Sequence, residues 1–391
     1  MRILVYDHLL DVGGGAAKYG LWFANILKHG NSIDIVSDVS VEKELFGKRF
    51  GMYVEGLHFR ELQSHVMQEK IPFLKILRAS KDFASLLDLE SIGFFGNSIK
   101  RIRHEVNSVR HKPLDSIVET MSGEYDLFIA HVHSHTHNHV KPNAEKSIMV
   151  CHSVNQIMQP GKREFHAGNY DTVISNSRYT KEILINVWGI DSEVVYPPVE
   201  VMRMEGLKED AISNVGIFGT QRNQREYVRV FNQLRDNASG WKMILAGVAR
   251  EQEYFKKVNG TTVNPGVEVR PNPSFEELCK VLSTSKIYWN LAGLRGGYDE
   301  VEHFGMAMAE AMKCGCVPIA INRGGPAEII TDGVDGFLVD DLEGVKSRTL
   351  ELIRDENLRE RMGENAAKRA ADFSLEKFEK RVKDVVSSLE V

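Results

Sequence analysis

Two glutamates, Glu302 and Glu310, bracket the start of a helix-like run in which Phe304, Ala307, Met308, Ala311 and Met312 form an apolar stripe. At roughly 3.6 residues per turn their spacing is about 80° beyond two full turns, so one carboxylate sits at the helix mouth and the other about two turns deeper on a nearby face. Unpaired N–H groups at such a mouth, near Phe304, Gly305 and Met306, can hold a diphosphate, and carboxylates on either side can accept hydrogen bonds from sugar hydroxyls. That array suits one extended polar ligand. The pair alone reads equally well as acids on a solvated helix.

A second phosphate-seeking feature is Gly13-Gly14-Gly15, between a first strand and a first helix, where α/β proteins bring ligands onto backbone N–H groups. It is not a dinucleotide fingerprint, because the last glycine of that pattern would fall where Lys18 stands. A tight strand-to-helix turn is the plain alternative. Asp38, ending the second strand, keeps an NAD-type oxidoreductase open as a competing class, since such enzymes bind a ribose there.

Arg222 and Arg225 follow Phe218-Gly219, where their guanidinium forks can meet phosphate, although isolated arginines are more often surface groups. His131, His133, His135, His137 and His139 recur at every second residue, which on a strand would aim all the imidazoles at one face. No nearby acid or cysteine completes a ligand set, so no metal is assigned to them. His152 follows the next strand and either lines the same cleft or sits in the core. Between 99 and 112, Lys100, Arg101, Arg103, Arg110 and Lys112 oppose Glu105, a local charge of 5 − 1 = +4 close to Phe94 and Phe95. Such a surface can dock on anionic lipid or attract an anionic acceptor, and is more commonly a solvated helix face.

The elements that must position these residues follow a βαβ rhythm. In a chain of 391 residues with 42% hydrophobic and 26% charged residues, two ordinary globular domains are expected and disorder is excluded. Strands are expected over 2–5, 33–36, 127–130, 148–151 and 172–174, with a helix over 16–28. Tyr196-Pro197-Pro198 breaks the pattern, and the polar stretch to about 214 reads as the interdomain linker. The rhythm restarts over 215–218, 242–246, 267–269, 287–290, 317–321 and 337–339. The expected plan is therefore α/β, with two doubly wound Rossmann-like domains over 1–198 and 199–373. A helix over 374–391, with Ser374 as N-cap and Phe373 and Phe378 as a hydrophobic staple, needs a surface to pack against. The segment from 42 to 112 is the least legible.

A net charge of −5 argues against a dedicated nucleic-acid binder. Four cysteines, two of them as Cys314-Gly315-Cys316, make neither a disulfide framework nor a spaced zinc site. An acid at Asp7 comes too early for a secretory leader, and no uncharged apolar stretch of about 18 residues occurs. A reducing, cytoplasmic setting is expected, with peripheral attachment at the inner membrane face through 92–112 as a further expectation.

The run from Glu302 to Glu310, followed by Cys314-Gly315-Cys316-Val317-Pro318, Gly324-Gly325-Pro326 and Gly333-Val334-Asp335-Gly336, resembles the donor half of family 4 glycosyltransferases of GT-B fold. The resemblance extends to Asn176-Ser177-Arg178, to Val195-Tyr196-Pro197-Pro198-Val199 and to the glycine loop. Within the family, Glu302-His303-Phe304-Gly305 with the triple glycine is most similar to GDP-mannose mannosyltransferases that extend the dolichol-linked glycan precursor.

The resemblance implies two Rossmann-like domains facing a cleft, with the helix over 374–391 packing back on the first, and a retaining, metal-independent enzyme without a cofactor. It would move a sugar from a nucleotide-diphosphate donor, a GDP-sugar ahead of a UDP-sugar, to a glycan or lipid-linked acceptor. It further implies that Glu302 contacts donor-sugar hydroxyls, Glu310 the ribose, and Arg222 and Arg225 the diphosphate, Arg225 standing where the family has lysine. Donor binding would extend to Gly14, Gly15, His303, Phe304, Gly305 and Met306. The family's functional histidine near the transferred sugar falls on His133, with His131 next. A non-catalytic sugar-nucleotide binder stays open beside these readings.

Overall fold

The computed structural model describes residues 1–7, 10, 14–37, 41–62, 116–132, 140–154, 166–206, 208–261, 265–295 and 301–390. The first domain holds β1 (Arg2–Asp7), β2 (Ser32–Ser37), β3 (Leu57–Glu61), β4 (Leu127–Val132), β5 (Lys146–Cys151), β6 (Thr172–Ser175) and β7 (Glu193–Val194). They form one sheet in the order β3-β2-β1-β4-β5-β6-β7, with every pairing parallel. The helices α1 (Gly15–Leu27), α2 (Glu44–Phe50) and α3 (Arg178–Trp188) accompany it. Helices on both faces of a parallel sheet demand near-continuous apolar strands, and β4 is buried at every position.

The second domain repeats the plan with β8 (Glu209–Val215), β9 (Lys242–Gly247), β10 (Val267–Pro271), β11 (Ser285–Asn290), β12 (Val317–Ile321) and β13 (Phe337–Val339) in the order β10-β9-β8-β11-β12-β13. Its helices are α4 (Gln224–Leu234), α5 (Gln252–Gly260), α6 (Phe275–Thr284), α7 (Met306–Lys313), α8 (Pro326–Ile329), α9 (Leu342–Arg354) and α10 (Glu356–Ala370). The last helix, α11 (Leu375–Ser387), packs Phe378, Val382 and Val385 into the first domain's core beside Tyr19 and Phe23.

Three expectations need correction. The strand placed at 215–218 is β8, ending at Val215, so the linker is shorter than the polar stretch suggested. Ser213 and Asn214 are buried strand residues, and Asn214 meets its needs by donating to Trp289 O at 2.9 Å and to the Tyr227 hydroxyl at 3.2 Å. Within 42–112 the chain forms α2 and β3, and β3 shows no continuous apolar run because it is an edge strand with only part of its length covered. Phe373 and Phe378 are not one staple: Phe373 belongs to the second domain's core and Phe378 to the first's. The chain crosses between domains at that point, and Ser374 alone caps α11 by accepting from Lys377 N–H.

The other crossing is at Tyr196-Pro197-Pro198, and the two crossings are joined where Val199 N–H donates to Phe373 O at 2.8 Å. Tyr196 packs its ring 5.7 Å from Phe304 and 5.3 Å from Phe373. Among the described residues no helix is long and apolar enough to cross a membrane.

Candidate active site

Strand order reverses between β1 and β4 in the first sheet and between β8 and β11 in the second. Loops leaving the carboxyl ends of such strands diverge and open a crevice. Between the domains lies a cavity of about 390 Å³ lined by Gly14, Gly15 and Lys18 from one domain and by Arg222, Glu302, Met306 and Glu310 from the other.

The loop before α7 is fixed by backbone contacts. Gly305 has φ 111° and ψ 51°, a left-handed turn that a β-carbon would strain. Gly324 and Gly325 brace the loop from behind. A Cβ on Gly324 would lie 2.4 Å from Glu302 O, one on Gly325 would lie 2.4 Å from His303 O and Phe304 Cα, and Gly325 N–H donates to Glu302 O at 2.8 Å. Because of the Gly305 turn, 302–305 is not helical and the two-turn offset fails: α7 begins at Met306 and Glu310 lies in its second turn. The Glu302 carboxylate instead turns to Arg222, with Nη1 2.5 Å from Oε2, and this pairing raises the guanidinium above its ordinary pKa.

Helices α1 and α7 point their N-termini at one another. Each has a glycine N-cap, neither has a side-chain cap, and neither carries an acid in its first turn. A Cβ on Gly15 would lie 3.0 Å from Met306 Sδ, so the two mouths nearly touch. By contrast α3, α6, α9, α10 and α11 are capped by Ser177, Ser274, Asp341, Asp355 and Ser374, and α2, α4, α5 and α8, which have no side-chain cap, each carry an acid in the first turn. Two uncapped positive ends beside Arg222 make a place for an anion.

The remaining expected residues divide. Arg225 is exposed and does not line the cavity, whereas Gln224, which no motif marks, does. Gln224 is 1% exposed; its amide nitrogen donates to Ile217 O at 2.9 Å, and its Oε1 has no partner among the described residues. An orphaned acceptor on a cavity wall calls for a ligand donor. No sequence signal marks it beyond its place two residues after Arg222. Glu310 is ion-paired with Lys18, which occupies the position of the missing third glycine and fills it with a buried cation.

His303 bridges the domains: Thr180 Oγ1 is 2.9 Å from its Nδ1 and Ser153 Oγ 3.4 Å from its Nε2. Burial, with Arg222 adding, pushes its pKa down to about 3, so it is neutral at ordinary pH. His131, next to last in β4, sits behind the cavity with its Nδ1 2.9 Å from Nε2 of His152, and His152 lines the cavity. Across the same interface Glu328 accepts from Arg178 N–H at 3.0 Å, Tyr179 N–H at 3.1 Å and the Tyr196 hydroxyl at 2.8 Å. Gly13, Asp38, the basic stretch 92–112, His133 through His139, and 296–300 lie outside the described residues.

Residues 205–369 match the family profile described as Glycosyl transferases group 1. A GDP-Man:Man(3)GlcNAc(2)-PP-Dol alpha-1,2-mannosyltransferase of Mus musculus is 29% identical over 54% of this chain and 46% of its own length. An uncharacterized glycosyltransferase of Methanocaldococcus jannaschii is 25% identical over 53% of this chain and 55% of its own. The chain thus spans about half the length of the curated relatives it matches. The crystal structure of Anabaena HepE in complex with UDP and glucose superposes with a TM-score of 0.71 at 16% identity, covering 99% of this chain and 100% of that one. Sucrose-phosphate synthase from Thermosynechococcus elongatus gives 0.65 at 15% identity over 100% and 99%. Residues 205–369 thus match the glycosyl transferases group 1 profile, in a molecule with the two-domain GT-B fold.

Proposed function

We propose that the protein is a glycosyltransferase that moves a sugar, with retention and without a metal, from a nucleoside-diphosphate sugar to a hydroxyl acceptor. A GDP-mannose-like donor and a lipid-linked glycan acceptor fit the mannosyltransferase relatives best. The observation that carries this reading is the meeting of two uncapped helix N-termini with Arg222, Glu302 and Glu310 in one interdomain cavity. The diphosphate lies between the helix mouths, with Arg222 as its counter-charge. Glu302 takes hydroxyls of the transferred sugar and Glu310 those of the ribose. As the bond from the sugar C1 to the diphosphate breaks, the acceptor oxygen bonds to C1 from the same face and its proton passes to the departing diphosphate oxygen. Stabilising the charge on that leaving group is the main catalytic term.

Calorimetry with GDP, UDP and their sugars, followed by nucleotide release with a polyprenyl-linked acceptor, tests this. Micromolar binding of one nucleoside diphosphate and EDTA-resistant transfer are expected. Binding without transfer or hydrolysis would select the non-catalytic reading, and binding of neither nucleotide would remove the donor site.

A further inference from the structure

Helix α1 carries a buried cation whose partners all lie beyond the hinge. Lys18 is 6% exposed, and its ammonium donates to the Glu310 carboxylate on α7 and to Glu200 O at 2.7 Å. It also stands over the Phe275 ring of α6, 5.8 Å from the centroid. A buried ammonium keeps its charge only where an opposite charge and hydrogen bonds replace water. Residues of the second domain and the hinge supply that replacement here. Glu200 is held from the other side by Lys313 at 3.2 Å, which fixes the hinge end of α7.

The position of this cation bears on the ligand. From the helix mouths and Arg222 the cavity runs past Glu310 to a wall of Phe275, Leu278 and Cys279. An anion at the mouths therefore puts the nucleoside end of the same ligand beside Glu310, with a flat ring system beyond it. Lys18 touches both the carboxylate and the aromatic wall, from the opposite domain. Without it, Glu302 and Glu310 would face Arg222 as their one counter-charge within this group, and an anionic diphosphate would enter against the excess.

We propose that Lys18 is a positioning residue for the nucleoside end of the donor, neutralising and orienting Glu310 and making nucleotide affinity depend on closure of the first domain over the second. This rests on the donor-site reading given above. A carboxylate offers about four lone-pair sites, so Glu310 can accept from Lys18 and from ribose hydroxyls together.

The test is calorimetry of GDP and UDP on wild type, Lys18→Met, Lys18→Arg, Glu310→Gln and the Lys18→Met/Glu310→Gln double variant, with steady-state rates beside it. Lys18→Met is expected to lose tenfold or more in affinity, and Lys18→Arg to recover part of it. The double variant should bind no worse than the weaker single one, since both remove one shared contact. KM for the donor should rise more than kcat falls. A lowered Tm with unchanged affinity would reduce Lys18 to a structural ion pair, additive losses would separate it from Glu310, and tighter binding would make it a block; each overturns the proposal. Should Lys18→Met fail to fold, unchanged affinity in Lys18→Arg overturns it, because a planar guanidinium cannot repeat the three contacts of the ammonium. Wild type that binds neither nucleotide overturns the donor-site reading as well, whereas binding by wild type with no change in Lys18→Met overturns this proposal alone.

Discussion

The second domain sets its half of the cavity with backbone: Gly305 makes the turn, Gly324 and Gly325 leave no room for a β-carbon, and Glu302 is held through its own carbonyl. The first domain reaches its half with side chains that cross the cleft, among them Lys18 to Glu310 and Thr180 to His303. Backbone geometry admits few residue types, so it leaves a motif that a family profile recovers. Side-chain reach can be met from several positions, and it leaves little trace in the order of residues. The matched segment, 205–369, stops short of the first domain accordingly.

The sharpest way to break this contrast is Gly325→Ala against Gly14→Ala. The first places a Cβ 2.4 Å from the Phe304 backbone, and its cost should reach or pass the roughly 3 kcal/mol upper end of overpacking. Among the described residues the second meets only Ile217 Cδ1 at 3.5 Å, with φ −91°, and it should leave denaturation midpoints nearly unchanged. Equal losses would end the distinction. Next in size, Arg222→Ala should cost GDP affinity on the order of 1.5 to 3 kcal/mol, as for a charged hydrogen bond, while Arg225→Ala should cost little. Equal calorimetric losses would bring Arg225 back into the site.

The cross-cleft side chains give two smaller effects. The unfolded chain protonates His303 at about pH 6.5, whereas the folded pKa is about 3. The contribution is whole above pH 6.5 and is lost as pH falls toward 3, by on the order of 1.5 kcal/mol between pH 6.5 and 5. Thermal melts across that range should flatten in His303→Gln; parallel profiles would show that the imidazole does not govern the interface. Glu328→Ala should cost about 1 kcal/mol, the worth of a helix cap, because it uncovers the N–H groups of Arg178 and Tyr179. An unchanged Tm would mean that Ser177 alone suffices at α3.

The double rhythm of strands was legible because both sheets bury β-branched runs on two faces; of the cavity residues, Glu302 and Arg222 stood out beside glycine turns and Glu310 on the helix that the Gly305 turn opens. Edge strand β3, half covered, fell below that signal. So did Gln224, whose weight comes from one oxygen unpaired among the described residues, and Lys18, which reads as a departure from a motif and is a partner of Glu310. Helical arithmetic across 302–310 failed because Gly305 adopts a conformation that no periodicity reveals.

The return of α11 to the first domain has a consequence for biogenesis. The second domain is an insert whose residues are contiguous, so it can close its core while the ribosome is still attached. The first domain lacks Phe378, Val382 and Val385 until α11, which follows the whole second domain in the chain, has emerged. Domains ordinarily fold in the order of synthesis, N-terminal first. Here the order inverts: the half made first completes last, and its unfilled core beside Tyr19 and Phe23 is the surface that nascent-chain chaperones would meet.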